Sequence, residues 1–179
     1  YGYCSFFKAP VRNVFPTETM RLHQVFALIT SDKYKKITED LRAITDVKEA
    51  RKFKANRFDY VTFSGTFEKR NDNNLLQHSN LLTIDFDHLD NLQELKAQLL
   101  NDEYFETEML FTSPSGDGLK WIIRIDVSEV THSEYFTAVA NYIKYTYNIV
   151  VDQSGKDVSR ACFLPYDPTT FLHKRHQAL

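Results

Sequence analysis

Two short stretches carry side chains that could do chemistry together. Ile84-Asp85-Phe86-Asp87 sets two carboxylates two residues apart in an apolar run, and Ser113-Pro114-Ser115-Gly116-Asp117-Gly118-Leu119-Lys120 is a glycine-rich turn ending in a cation. On a strand, alternate side chains share a face, so Thr83, Asp85 and Asp87 are expected to point one way while Leu82, Ile84 and Phe86 enter a core. Neighbouring carboxylates repel unless a cation lies between them, and hard oxygen donors favour Mg²⁺ or Mn²⁺. In the turn, Gly116 and Gly118 free the backbone to aim N–H groups at an anion, Ser113 and Ser115 add hydroxyls, and Lys120 adds charge. This is not a Walker A loop, because the glycine spacing differs and no helix follows. Each stretch also has an ordinary reading, as a strand end entering solvent and as a long hairpin loop.

A third acid comes later. Asp152 ends the apolar run Ile149-Val150-Val151 and precedes a polar segment containing Lys156 and Arg160, with Asp157 as its rival for the third position. Nucleotidyl transfer uses two divalent ions bridged by acidic side chains, one activating the attacking hydroxyl and the other binding the triphosphate, and a third carboxylate beside Asp85 and Asp87 would complete such a cage. Arg160 joins Ser113, Ser115, Gly116, Gly118 and Lys120 as a candidate nucleotide contact. Lys69, Arg70 and Arg124 are the candidate nucleic-acid contacts. The first two follow the aromatic run Phe63 to Phe67, with Lys52, Lys54 and Arg57 upstream, and basic groups among aromatics suit phosphates and stacked bases. His78 and His88 flank the acidic strand, but no histidine or cysteine spacing predicts zinc and no nucleophile elbow is present.

The elements that must position these groups follow from periodicity. Ser5 to Phe7 reads as a short strand, Thr17 as the cap of a helix through Met20, Val25 and Ile29, and Lys33 to Ile44 as an amphipathic helix. Asp46 caps a third, basic helix. From Tyr60 the period becomes two, with Gly65 breaking the run into strand, turn, strand. Leu81 to Asp87 reads as a buried strand, Asn91 to Leu100 as a helix, Met109 to Thr112 and Leu119 to Val127 as strands around the glycine turn, and Ser133 to Tyr147 as a helix. Ile149 to Asp152 and Arg160 to Leu164 read as final strands, and the tail from His173 as frayed. Helices first, then strands interleaved with two helices, make an α+β arrangement.

The bulk properties set outer bounds. At 179 residues with 42% hydrophobic side chains, the chain suits a single domain, 1–179, mostly helical over 1–57 with a core over 58–168. A formal net charge of -2 gives no support for a histone-like polyanion binder, so any nucleic-acid affinity must come from a local patch. Cys4 and Cys162 offer no disulfide framework, which favours a reducing, cytoplasmic setting. No apolar run approaches the roughly 20 residues of a membrane span, so no membrane partner is expected. A chain that starts at Tyr1 is expected to be the N-terminal part of a longer protein.

The three acidic and glycine-rich elements, in this order, resemble the archaeo-eukaryotic primase (prim-pol) superfamily, in particular the mobile-element branch of Bacteroidetes found before VirE-like or helicase regions. Leu82-Thr83-Ile84-Asp85-Phe86-Asp87 is similar to its first motif, Ser113 to Lys120 falls where the second lies, and Val151-Asp152 followed by Ser159-Arg160 is similar to the third. The resemblance implies a primase-polymerase core of two sheet modules, the second RRM-like, with N-terminal helices, and catalytic, metal-binding Asp85, Asp87 and Asp152. It also implies an NTP or dNTP substrate, a single-stranded DNA template and a C-terminal helicase or other replication domain. The superfamily's second motif usually ends in a histidine, where this chain has Lys120. That departure keeps two other readings open: a non-catalytic single-strand-binding module, or another D-x-D metal-nucleotide transferase.

Overall fold

The computed structural model describes residues 2–177. The first sheet is antiparallel, in the order β2 (Glu18–Met20), β1 (Cys4–Phe7), β3 (Tyr60–Thr62), β9 (Cys162–Phe163). The second, also antiparallel, runs β10 (Phe171–Leu172), β7 (Thr107–Thr112), β8 (Leu119–Arg124), β6 (Leu81–Phe86). A two-stranded ribbon joins β4 (Gly65–Phe67) to β5 (Leu75–His78). Six helices complete an α+β fold among the described residues: α1 (Leu22–Thr30), α2 (Lys35–Arg42), α3 (Val47–Arg57), α4 (Leu92–Leu100), α5 (His132–Tyr147) and α6 (Lys174–Gln177).

The second sheet is apolar on both faces, and this organises the molecule. Leu82, Ile84, Phe86, Leu110, Trp121 and Ile123 pack under Leu95 and Leu99 of α4 and Phe136, Val139 and Ile143 of α5. The buried Trp121 indole N–H is satisfied by Thr107 Oγ1 at 2.7 Å. Leu81, Met109, Phe111 and Ile122, on the opposite face, join Cys4, Phe6, Val61 and Cys162 of the first sheet and Val25 and Ile29 of α1. Both cysteines are free, and burial pushes each thiol up to about 12. Among the described residues no helix is long and apolar enough to cross a membrane.

Several boundaries differ from the sequence expectation. Thr17 does not cap a helix: its N–H donates to Phe6 O, and the segment continues as β2 paired with β1, because an available sheet edge satisfies that backbone first. The helix begins at Leu22, where Gln24 Oε1 accepts from the Arg21 N–H. Residues 149–152 form no strand, because Asn148 in the left-handed region ends α5 and leaves Val150 exposed. That segment keeps a single backbone bond to the sheet, Asp152 N–H to Asp85 O, 3.2 Å. Only Cys162–Phe163 of the expected last strand pairs. Strands β5 and β10 were not expected.

The tail is not frayed over its described part. β10 pairs with β7, and the following residues meet a carboxylate of β7 and one just before it: His176 Nε2 lies 3.0 Å and Arg175 Nη1 3.2 Å from the fully buried Glu108, while Arg175 Nη2 lies 2.7 Å from Glu106. A buried carboxylate is tolerated only with partners, and these partners seal the sheet edge. Residues 178–179 lie outside the described residues. Glu108→Ala removes the carboxylate that His176 and Arg175 share and leaves Arg175 only Glu106, and the unfolding free energy is expected to fall by about 3 kcal/mol in urea denaturation.

Candidate functional site

Where the two sheets part, a cleft of about 610 Å³ opens between the ends of β6 and β8, the 113–118 turn, the 152–161 segment and α3. Asp85, Asp87, Ser113, Ser115, Lys120, Asp152 and Arg160 all line it, although they lie up to 75 positions apart. Among the three acids, Asp85 is buried, Asp152 half-buried and Asp87 exposed just past the end of β6. Asp157 lies outside the cleft, in a neighbouring hollow of about 340 Å³.

At the centre is an ion pair. The β6–β8 register sets Asp85 directly opposite Lys120, and Lys120 Nζ stands 3.0 Å from Asp85 Oδ1, with the two side chains only 15% and 9% exposed. The contact has ion-pair distance without hydrogen-bond alignment, so Oδ1 lacks an aligned donor. Burial works against the Lys120 charge, but Asp85 above all, with Cys162 and Asp87, outweighs it and holds the ammonium above the usual lysine range. Lys120 is therefore a fixed cation whose charge Asp85, Asp87 and Asp152 all feel.

The turn is built by packing as well as by charge. Gly118 runs so close to the Phe86 carbonyl oxygen that a Cβ there would collide with it, and Gly116 sits at φ +88° beneath the Arg42 guanidinium. Gly116 N–H donates to Ser113 O and Gly118 N–H to Ser113 Oγ, so these two amides close the loop on itself. Arg42 of α2 donates to Pro114 O at 3.0 Å and Ser113 O at 3.1 Å, and His88 Nδ1 lies 3.0 Å from Asp117 Oδ2. Of the two serines proposed to meet phosphate, Ser113 is buried and engaged while Ser115 is exposed to the cleft.

Asp152 is anchored by its own turn. Its Oδ1 accepts from Ser154 N–H at 2.9 Å, and Arg160 Nη2 lies 3.8 Å from Oδ2. Partial burial raises the carboxyl, but Ser154, Arg160 and Lys120 together hold it below the usual carboxylate range. The segment is pinned from behind through two histidines. Asn80 N–H donates to His78 Nδ1, so neutral His78 carries its proton on Nε2 and donates to His132 Nδ1 at 3.0 Å, and His132 Nε2 donates to Gly155 O at 3.0 Å. Burial, with His132 alongside, lowers His78 from 6.5 to about 4.

Facing the acids is a wall of which the motif reading named only Lys54, and that as a basic group near the nucleic-acid surface. Val47, Ala50, Arg51 and Lys54 form one face of α3 and line the cleft. Burial first, then Lys120, lowers the Lys54 ammonium, with Asp87 and Asp117 opposing. The sequence signal was the helical spacing of Arg51 and Lys54 behind the Asp46 cap, whose side chain accepts from Glu49 N–H. The candidate nucleic-acid contacts are not gathered in the cleft. Arg70 donates to Tyr60 Oη and Val11 O and lines the adjoining hollow that shares Arg160 with the cleft. Lys69 lies over Phe15, and Arg124 stands at the far end of β8 opposite Leu81.

A family model described as "BT4734-like, N-terminal domain" matches residues 52–171, two-thirds of the chain. The chain belongs to that family. The matched stretch takes in Lys54, all three acids, the glycine turn and Arg160, while α1, α2 and Arg51 precede it. Searches of curated proteins and of solved structures found no match.

As a metal site, the donor set is divided. The oxygens are hard, and the unaligned Asp85 Oδ1 suits a divalent ion. Yet among the described residues no three of Asp, Glu, His and Cys come together closely enough to hold a metal, and Lys120 already stands among the acids.

The histidine pair makes a testable claim. Unfolded His78 takes up a proton near 6.5 and folded His78 only near 4, so its contribution to stability is present above pH 6.5 and is lost as pH falls through about 4. In a thermal melt series from pH 7 to 4, His78→Asn is expected to show a shallower loss of Tm than the wild-type chain.

Proposed function

We propose that the cleft is a nucleotidyl-transfer site of the primase-polymerase type, adding nucleotides from an NTP or dNTP to a 3′-hydroxyl on single-stranded DNA. The observation that carries this reading is the convergence of Asp85, Asp87, Asp152, the Ser113–Lys120 turn and Arg160 on one cleft with cations on its opposite wall. A second observation is topological. The order β6, α4, β7, β8, α5, with residues 149–152 then joined to β6 by one backbone bond, is compatible with a split βαβ unit and supports an RRM-like module.

In this reading Asp85, Asp87 and Asp152 would hold Mg²⁺ or Mn²⁺, and the ion would supply charge neutralisation at the phosphates. Arg160, Lys54 and Arg51 bind the triphosphate electrostatically, Ser115 offers a hydroxyl, and the turn fixes the floor on which the phosphates lie. The hollow shared by Arg160 and Arg70 provides a course for the template backbone. The family match is compatible with this reading. A cytoplasmic replication protein with further domains is its natural setting.

The Lys120–Asp85 pair favours one rival, a single-strand-binding module without catalysis, since it occupies the acid on which chemistry depends. Primer synthesis on single-stranded DNA with Mn²⁺ separates them. Asp85→Asn and Asp152→Ala, each first shown to be folded by circular dichroism, are expected to lose about a hundredfold or more of the product. Binding that needs no metal, together with unchanged behaviour of both variants, would establish the rival. Arg51→Ala combined with Lys54→Ala is expected to raise the KM for the triphosphate roughly tenfold, with kcat less affected.

A further inference from the structure

Asp85, Asp87 and Asp152 line one cleft, and Lys120 supplies a counter-charge among them. Its ammonium enters from β8 directly opposite Asp85, 3.0 Å from Oδ1 and largely shielded from water. Asp87 and Asp152 both lie within its electrostatic reach, whereas no three acids in the described chain stand close enough to share a metal. The β6–β8 register fixes this placement, since Lys120 is the second residue of a strand paired along its length. It cannot swing away to meet a triphosphate without breaking a contact that offsets the burial of Asp85.

We infer that Lys120 is a tethered cation standing in for one of the two divalent ions of a nucleotidyl-transfer centre, so that the site takes up one ion fewer than its three carboxylates would otherwise hold. The inference rests on the nucleotidyl-transfer reading for its meaning. An ammonium neutralises a carboxylate but has no vacant coordination position, so Lys120 can hold Asp85 in place and damp the charge of the acid cluster without activating a hydroxyl. Lys120 is a positioning residue here, and phosphate contact passes to Arg160 and the α3 cations.

The test is to count bound ions. Mn²⁺ is titrated into the purified chain and free ion is read by electron paramagnetic resonance. Lys120→Ala is expected to bind a further Mn²⁺ per chain relative to wild type, Lys120→Arg to match wild type, and Lys120→Ala with Asp85→Asn to lose the gained ion. Equal counts for wild type and Lys120→Ala overturn the inference, as does a gained ion that survives Asp85→Asn. If Lys120→Ala is unfolded by circular dichroism, Lys120→Gln replaces it. A wild-type chain that binds two ions lost on Asp85→Asn overturns the inference without any lysine variant. Primer synthesis is scored separately. A gained ion with no synthesis in any protein sinks the functional reading alone, and synthesis with equal counts sinks this inference alone.

Discussion

A charge buried inside an apolar sheet is the constraint from which the rest of the site follows. Asp85 lies in a strand whose neighbours pack on both faces, and an isolated carboxylate there would be costly. The pairing register sets Lys120 opposite it, so the cost is met within the sheet itself. That register has to be maintained by the connection leading into β8. The 113–118 turn must reverse the chain next to Phe86 and deliver Lys120 on the correct face, because a slip of one residue would send the ammonium into the cluster around Trp121. The turn's close approach to the Phe86 carbonyl, its internal amide bonds and the Arg42 brace are all means of holding that register.

The remaining site residues are polar groups at the seam between two apolar clusters. One cluster closes under α4 and α5, the other between the second sheet, the first sheet and α1. Segments crossing the seam cannot be held by apolar contact alone, and each carries its own polar brace. Arg42 grips the turn, His88 meets Asp117, and the His78–His132 chain holds the Gly155 carbonyl behind Asp152. Such braces are directional, so they fix side-chain placement more narrowly than packing does. A site assembled from four separate segments depends on that precision.

Much of this was legible in the sequence, for identifiable reasons. Alternation across Leu82 to Asp87 and the glycine turn before Lys120 reflect local rules, and the strands, the shared face of Asp85 and Thr83 and the α+β class followed from them. Asp46 as a helix cap was legible for the same reason. What escaped depended on contacts distant in sequence. Residues 17–20 have no helical or extended preference strong enough to resist pairing with β1. The apolar run Ile149 to Val151 looks like a strand, but it follows a left-handed Asn148 and reaches the sheet through one bond. The tail looked free because the partners of Arg175 and His176, Glu106 and Glu108, lie almost 70 residues earlier. Arg51 and Lys54 were visible as a basic face, but nothing local says that this face looks at the acids.

The arrangement of charge across the cleft narrows what can occupy it. Acids lie on the sheet wall, with Lys120 locked among them, and the α3 cations and Arg160 lie across from or beside them. A simple anion would be drawn to the cations and repelled by the acids, and a simple cation the reverse. A ligand that satisfies both walls must be anionic along one side and bring or meet a cation on the other, as a metal-bound polyphosphate does. The lowered ammonium of Lys54 fits this picture, because a group crowded by Lys120 and partly stripped of water gains most from an incoming phosphate. The glycine turn then takes a different part from the one its sequence suggests. Its amides at Gly116 and Gly118 hold its shape, and the positive charge on the facing wall comes from Arg51 and Lys54 of a helix more than fifty residues upstream, with Arg160 beside the acids.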